Sequence, residues 1–189
     1  MLLLGFYLYT MFTALKQNRF LKFLIFSSLS YLGLYLIYQF GVKKYTVIDQ
    51  TFIAFIINSS DAILKLFGYN TFKTLSDTDY QVIGIDGSDG VWIGSSCNAI
   101  TLFCLFAVFI AAYPGHQKKK IWFLPLGILL IHILNIFRVV ALALIAFYNP
   151  KVLDFNHTYT FTFIIYGFIF LLWMIWVNKY SALSNDAKK

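Results

Sequence analysis

The stretch IWFLPLGILLIHILNIFRVVALALIAFY, residues 121–148, decides the fold class of this chain. It contains a single charged residue, Arg138, and is otherwise almost wholly apolar. A transmembrane helix needs roughly 20 apolar residues to cross about 30 Å of hydrocarbon, so this run is long enough to span a bilayer. The stretch therefore predicts a membrane-spanning helix that carries an arginine.

Three further apolar runs, residues 23–41, 97–113 and 157–178, predict additional spans. Residues 1–15 are also uncharged and lack the basic leader of a secretory signal, which makes them a candidate fifth span. Hydrophobic residues make up 60% of the chain, and its mean hydropathy is +0.73, more than a water-soluble core uses. The sequence thus predicts an all-α integral membrane protein, a bundle of four to five transmembrane helices that forms a single membrane domain over residues 1–189.

The net charge of +7 follows the predicted topology and does not indicate a nucleic-acid partner. Lysine and arginine collect around residues 16–22, at residues 118–120 and in the tail at residues 179–189. Membrane proteins carry an excess of these residues on the cytoplasmic side, and the predicted spans allow all three clusters to lie there. The sequence therefore places residues 42–96 on the outer side, with membrane lipids as the surroundings of the spans.

The first part of the outer segment, residues 47–67, has helical periodicity. Apolar side chains recur on one face, and Asn58, Asp61 and Lys65 form a polar stripe on the other. Such a helix is typical of one that lies in the plane of the membrane interface. A short further crossing is the alternative, which Asp61 and Lys65 disfavour.

The second part of the outer segment predicts a β-hairpin. Two β-favouring runs, residues 80–85 and 91–93, flank the turn-rich stretch at residues 86–90. The second strand leads the chain directly to Cys97, so the hairpin is expected to fix where the next helix begins.

Arg138 is the most costly residue for a membrane helix to carry. A guanidinium at the centre of the bilayer costs on the order of 2.5 to 3.5 kcal/mol on insertion scales, and such residues usually face a bundle interior or a polar cavity. At 1.5 Å per residue Arg138 lies about 26 Å from residue 121, near the outer boundary. The simpler alternative is that Arg138 extends to the outer headgroups.

Cys97 and His157 are predicted to reach the same outer boundary from two other helices. Cys97 is placed in the first turn of the span at residues 97–113, where amide groups and the helix dipole stabilise a thiolate. His157 is placed at the outer start of the last span. A thiol, an imidazole and a guanidinium at one depth supply the nucleophile, base and oxyanion donor of acyl transfer.

Two asparagines flank these residues and are candidate substrate contacts. Asn135 lies three residues before Arg138, where it could orient the guanidinium or contact substrate. Asn98 directly follows Cys97. No zinc-ligand spacing and no glycine-rich phosphate loop occurs, so neither a metal nor a cofactor is predicted. The remaining cysteine and histidines are left outside the site: Cys104, His116 and His132.

Three short strings carry a family resemblance: SSCNAI around Cys97, LNIFRVVAL around Arg138 and FNHTYTF around His157. With these strings in this order, residues 92–180 resemble the exosortase and archaeosortase family of membrane-embedded cysteine transpeptidases, especially the small exosortases of Bacteroidetes. One departure is the pair that follows the cysteine. Many relatives carry serine and glycine there, and this chain carries Asn98 and Ala99.

The resemblance implies that Cys97 is the nucleophile, that His157 is the acid or base, and that Arg138 stabilises the intermediate or orients the substrate. It also implies the substrates, which are secreted proteins whose C-terminal sorting signal comprises a short motif, a hydrophobic helix and a basic tail. Such an enzyme cuts at the periplasmic face of the bacterial inner membrane and passes the acyl group to an acceptor that the sequence does not identify.

A non-catalytic assembly or scaffold subunit of a polysaccharide or secretion system is the alternative function. In that case Cys97 contributes to packing, Arg138 pairs with an outer aspartate such as Asp154, and His157 caps its helix. A small-solute transporter is disfavoured because the sequence has no pair of broken helices in matching halves.

Overall fold

A computed structural model of the protein describes residues 19–43, 47–74 and 80–180. The helices are α1 (Arg19–Ile37), α2 (Ile48–Leu66), α3 (Ile100–Ala112), α4 (Gln117–Tyr148) and α5 (Phe161–Ile175), and the strands are β1 (Thr71–Thr74), β2 (Tyr80–Ile85) and β3 (Val91–Gly94). The candidate span at residues 1–15 and the last part of the predicted tail, residues 181–189, lie outside the described residues.

Three helical segments are long and apolar enough to cross a membrane, as judged by their length and composition. They are Leu21–Gly41, Gln117–Tyr148 and Pro150–Tyr180. Each coincides with one of the predicted spans. The first continues α1 through a π-helical turn at Tyr38–Val42, and the last contains α5 between shorter helical turns.

The predicted span at residues 97–113 is shorter in the structure than in the sequence analysis. Its helix, α3, has 13 residues and therefore rises about 20 Å, less than the roughly 30 Å of a hydrocarbon core. The Lys120 Nζ, on the first turn of α4, donates to the Ala111 carbonyl oxygen at 2.7 Å. This bond satisfies one of the carbonyls left unpaired where α3 ends. The described residues thus contain three helices that are both long and apolar enough to span a bilayer, where the sequence predicts at least four.

Close packing of α3 on α4 depends on a glycine. Gly127 lies against the fully buried ring of Phe106, and a Cβ at position 127 would collide with that ring. The absence of a side chain at position 127 lets the two helices approach closely at the middle of α3.

The predicted hairpin forms two strands of a three-stranded antiparallel sheet in the order β1-β2-β3. β1 was not predicted from the sequence, since TFKT is short, has three polar residues out of four and shows no clear alternation. It pairs with β2 so that Phe72 faces Gly84, and its ring occupies the space where a Cβ of Gly84 would lie. Because β3 pairs with β2 as predicted, the sheet delivers the chain to residue 95 at a fixed place.

The predicted helix at residues 47–67 is present as α2, and its polar stripe meets β1, where the Lys73 Nζ donates to both Asn58 and Asp61. Asp61 is only 5% exposed, and it belongs to the face that packs on the rest of the protein. The cause is β1, whose Lys73 and Thr71 cover the Asp61 carboxylate and satisfy it with hydrogen bonds.

The buried residues form two clusters along α4. The first joins α2, the sheet and the C-terminal half of α4, and it includes Cys97. The second joins α3, the N-terminal half of α4 and α5 through aromatic side chains such as Phe106 and Trp176. Cys97 therefore lies in the cluster that the sheet helps to build.

The Asp61 carboxylate is expected to stabilise the protein in a pH-dependent way. Burial alone would raise its pKa, but hydrogen bonds from Thr71, Lys73 and Lys65 lower the pKa from 3.8 to about 2. A lowered pKa contributes stability above pH 3.8 that is lost as the pH falls through 2. Asp61→Asn should lower the free energy of unfolding at pH 7 by about 1.5–3 kcal/mol, the range for hydrogen bonds to charged groups. It should also flatten the acid limb of a thermal unfolding series in detergent.

The matched control is Asp86→Asn, because Asp86 is an exposed carboxylate in the turn between β2 and β3. It should leave both the unfolding midpoint and its pH dependence unchanged. Equal behaviour of the two variants between pH 2 and pH 4 would contradict the role assigned to Asp61.

Candidate functional site

Cys97 lies at the junction between the sheet and α3. β3 ends at Gly94, and the next residues, Ser95–Cys97, form a 3₁₀ turn. The sequence-based placement of Cys97 inside the first turn of the helix is wrong, because α3 begins only at Ile100. The Cys97 side chain is 2% exposed. A buried turn, rather than a helix N-terminus, therefore holds this thiol.

Ala99 makes the bend between the turn and α3. Its φ is +63°, in the left-handed region that residues with a Cβ rarely adopt. The Asn98 Oδ1 accepts a hydrogen bond from the Ile100 amide at 3.0 Å, which satisfies one of the amides left unpaired where α3 begins. A glycine, as many relatives in the resembled family carry here, would adopt this conformation without steric cost.

Asn135 fixes the backbone of Cys97 from α4. It is 0% exposed, and its Nδ2 donates to the Cys97 carbonyl oxygen at 2.7 Å. Its Oδ1 is buried without a hydrogen-bond partner in the described part of the chain. The contact in the structure is with the turn that carries the thiol, and the predicted contact of Asn135 with substrate stays a prediction.

His157 lies directly against Cys97. The His157 Nε2 is 3.4 Å from the Cys97 Sγ, a hydrogen-bond distance for sulfur. His157 belongs to a π-helical turn, Asn156–Thr160, inside a helical segment that begins at Pro150, so it does not start that segment as predicted. π-helical turns are rare and are often found at functional sites. Here the turn belongs to the element that brings an imidazole against the thiol.

Arg138 lies on α4, where its charge acts on His157. It is half-buried, and its Nε is buried with no hydrogen-bond partner among residues 19–43, 47–74 and 80–180. It is also the one charged residue that lines a cavity of about 450 Å³ whose other walls are apolar. Since charges interact more strongly in apolar surroundings than in water, the charge of this guanidinium is only weakly screened.

Tyr38 and Asp49, which the sequence analysis did not select, surround Asn98. The Asn98 Nδ2 donates to the Asp49 Oδ1 at 2.8 Å and to the Tyr38 hydroxyl oxygen at 2.9 Å. The Tyr38 hydroxyl donates to the same Asp49 oxygen at 2.6 Å. Asn98 is 1% exposed, and its predicted contact with substrate stays a prediction. No spacing in the sequence links positions 38, 49 and 98, so only the fold reveals this cluster.

The residues that the sequence analysis left outside the site have other surroundings. His132 packs among the rings of Phe52, Phe55 and Phe103, at centroid distances of 5.4 to 6.2 Å. His116 is exposed before α4, and Cys104 lies within α3. Within the part of the chain that the structure describes, no group of three or more His, Cys, Asp or Glu side chains could hold a metal ion.

Together these contacts form a site that is suited to acyl transfer. A thiol touches an imidazole that can take its proton, and the positive charge of Arg138 on α4 acts on that imidazole. Two buried asparagines hold the turn that carries the thiol. The contact between thiol and imidazole is the pairing that nucleophilic catalysis by cysteine uses.

Comparison with known protein families gives a match over most of the chain. The model of a protein family described as transmembrane exosortase matches residues 1–180. No curated protein and no solved structure matches the chain. The matched range includes the turn of Cys97, the α4 helix with Arg138 and the π-helical turn of His157.

The left-handed backbone at Ala99 predicts the effect of substitutions there. Ala99→Gly should raise the free energy of unfolding by up to about 1 kcal/mol. Removing the Cβ relieves a steric cost of roughly 1–2 kcal/mol. Part of this stabilisation is offset because glycine loses more conformational entropy on folding than alanine. Ala99→Val should be clearly destabilising, since a β-branched residue fits this region worst. Thermal unfolding in detergent measures both.

Ala107→Gly is the matched control, because Ala107 lies in the middle of α3. Glycine there should destabilise by roughly 0.5–1 kcal/mol, the opposite sign. If Ala99→Gly destabilised the protein as much as the control, the left-handed conformation at Ala99 would be refuted.

Proposed function

Because the chain belongs to the transmembrane exosortase family, we propose that it is a membrane-embedded cysteine transpeptidase that cleaves the C-terminal sorting signals of secreted proteins. The observation that carries this proposal is the 3.4 Å contact between the Cys97 Sγ and the His157 Nε2. A nucleophile and its base within hydrogen-bond reach are the signature of covalent catalysis.

In the first half of the proposed reaction, His157 takes the proton of the Cys97 thiol. The thiolate attacks the carbonyl carbon of the scissile peptide bond, and the carbonyl oxygen becomes an oxyanion that Arg138 stabilises. The intermediate collapses as His157 gives its proton to the leaving amine. The C-terminal helix and basic tail depart, and the processed protein remains on Cys97 as a thioester.

In the second half, an acceptor nucleophile attacks the thioester carbonyl. His157 removes the acceptor's proton, a second oxyanion forms beside Arg138, and the Cys97 sulfur leaves. The acyl group is then joined to the acceptor and the thiol is restored with the proton from His157. When water is the acceptor the same steps give hydrolysis.

The proposed site faces the periplasm from a bacterial inner membrane. This orientation rests on the three basic clusters, which the positive-inside rule places in the cytoplasm. The substrates come to the same face, since a secreted protein held by a C-terminal apolar helix and a basic tail presents the residues before that helix at the outer boundary.

A non-catalytic assembly subunit is the second candidate function. The 2% exposure of Cys97 favours it, because a buried thiol is more often part of the packing than a nucleophile. The two functions differ in whether they need the Cys97 sulfur. A catalyst loses its nucleophile when Cys97 is replaced, whereas a scaffold tolerates a small side chain of similar size at this position.

Cys97→Ala should abolish cleavage of secreted proteins that end in an apolar helix and a basic tail. Uncleaved precursors should accumulate in the membrane fraction, where immunoblotting and mass spectrometry of the C-terminus detect them. Cys104→Ala, which alters the other cysteine of the chain, should process them as the wild type does. Normal processing in the Cys97→Ala strain would reject the nucleophile and favour the scaffold.

Arg138→Lys should lower kcat by about 10²–10³, the range for loss of one oxyanion donor, with a smaller effect on KM. Lysine keeps the charge but loses the planar guanidinium with its several fixed donors. The measurement is steady-state cleavage of a purified precursor in detergent micelles. Arg19→Lys changes the other arginine of the chain and should not alter kcat. Full activity of Arg138→Lys would show that the guanidinium geometry does not matter.

A further inference from the structure

Asn98 is the centre of a buried polar cluster next to the thiol. All three members are nearly inaccessible, with exposures of 1% for Asn98, 6% for Tyr38 and 7% for Asp49. One carboxylate oxygen, the Asp49 Oδ1, accepts hydrogen bonds from both of the other side chains. Buried hydrogen bonds to a charged group are among the stronger ones in proteins, so this cluster is a rigid support.

The backbone around Cys97 needs such a support. The thiol is carried by a 3₁₀ turn, and the next bend contains the left-handed residue Ala99, so no regular helix fixes its position. The Asn135 amide holds the Cys97 carbonyl from α4. Asn98 holds the other side of the turn through three hydrogen bonds, to Asp49, to Tyr38 and from the Ile100 amide.

We propose that Asp49 and Tyr38 are positioning residues, which hold Asn98 and through it keep the Cys97 sulfur against His157. The inference rests on the proposed function in that it takes Cys97 to be the nucleophile. It extends the site to α1 and α2, two elements that contribute none of the three reacting side chains.

The positions of the two residues suit this task. Asp49 lies in the first turn of α2, where the helix dipole stabilises a negative charge. Tyr38 begins the π-helical turn at the end of α1. π-helical turns are often found at functional sites. A second π-helical turn, Asn156–Thr160, carries His157.

The test exchanges the two ends of the Asp49–Asn98 hydrogen bond. Asn98→Asp alone places two carboxylates within hydrogen-bond distance and should displace the turn, because like charges at this distance repel each other. The double variant Asp49→Asn with Asn98→Asp restores one carboxylate and one amide, and should recover the turn. Tyr38→Phe removes one donor, and Tyr35→Phe on the same helix is its control, since the Tyr35 side chain is exposed.

The primary measurement is alkylation of Cys97 with iodoacetamide, which releases iodide, in a Cys104→Ala background, as a function of pH and on protein shown to be folded. His157→Ala gives the reference profile for a thiol without its imidazole. Asn98→Asp should shift the profile toward that reference and slow precursor cleavage roughly tenfold, within the coupling range for contacting residues. The double variant should return to the wild-type profile, and Tyr38→Phe should shift it in the same direction as Asn98→Asp by a smaller amount.

A wild-type alkylation profile and cleavage rate in Asn98→Asp, or a double variant that folds without any recovery, would overturn the inference. Should Asn98→Asp not accumulate as folded protein, the comparison of Tyr38→Phe with Tyr35→Phe decides, and equal profiles would overturn it as well. These outcomes are distinct from failure of the proposed function. If the proposed function is wrong, the wild-type protein itself leaves precursors uncleaved. The alkylation profiles still report whether the cluster of Tyr38, Asp49 and Asn98 positions the thiol.

Discussion

The hydrogen bond from the Asn135 Nδ2 to the Cys97 carbonyl oxygen, 2.7 Å long, joins the sheet to the long helix α4. Both groups are buried, so separating them would leave a donor and an acceptor without partners at a cost of about 1–3 kcal/mol each. The bond fixes the turn of Cys97 relative to α4. Because α4 also carries Arg138, the same bond sets how the thiol lies relative to the guanidinium.

Irregular backbone surrounds the candidate site in a chain that is otherwise mostly helical. The thiol follows a strand through a 3₁₀ turn, Ala99 has a left-handed backbone, and His157 belongs to a π-helical turn. Non-helical backbone in a membrane protein is tolerated where protein covers it. Asn98 and Asn135 provide part of that cover, because their amides bond groups that regular secondary structure leaves unpaired.

The two clusters of buried residues along α4 differ in composition and in what they support. The cluster of α3, α5 and the N-terminal half of α4 is apolar and rich in aromatic rings, so it supports the helices as a packed unit. The cluster of α2, the sheet and the C-terminal half of α4 includes Cys97 and adjoins the buried Asp61 and Asp49. The candidate thiol therefore lies in the half of the molecule that contains the β-sheet and the buried aspartates.

The sequence by itself determined the long apolar helices, the β2–β3 hairpin and the family, because apolar runs, alternation and short motifs are local properties of the chain. It also indicated that Cys97 and His157 would meet, since both were expected at one membrane boundary. Only the tertiary structure decided that Cys97 precedes its helix, that Asp61 is buried under β1 and that Asp49 reaches Asn98. These features depend on side chains far apart in the chain, whose partners are determined by packing and by the cost of leaving a buried polar group without a hydrogen bond.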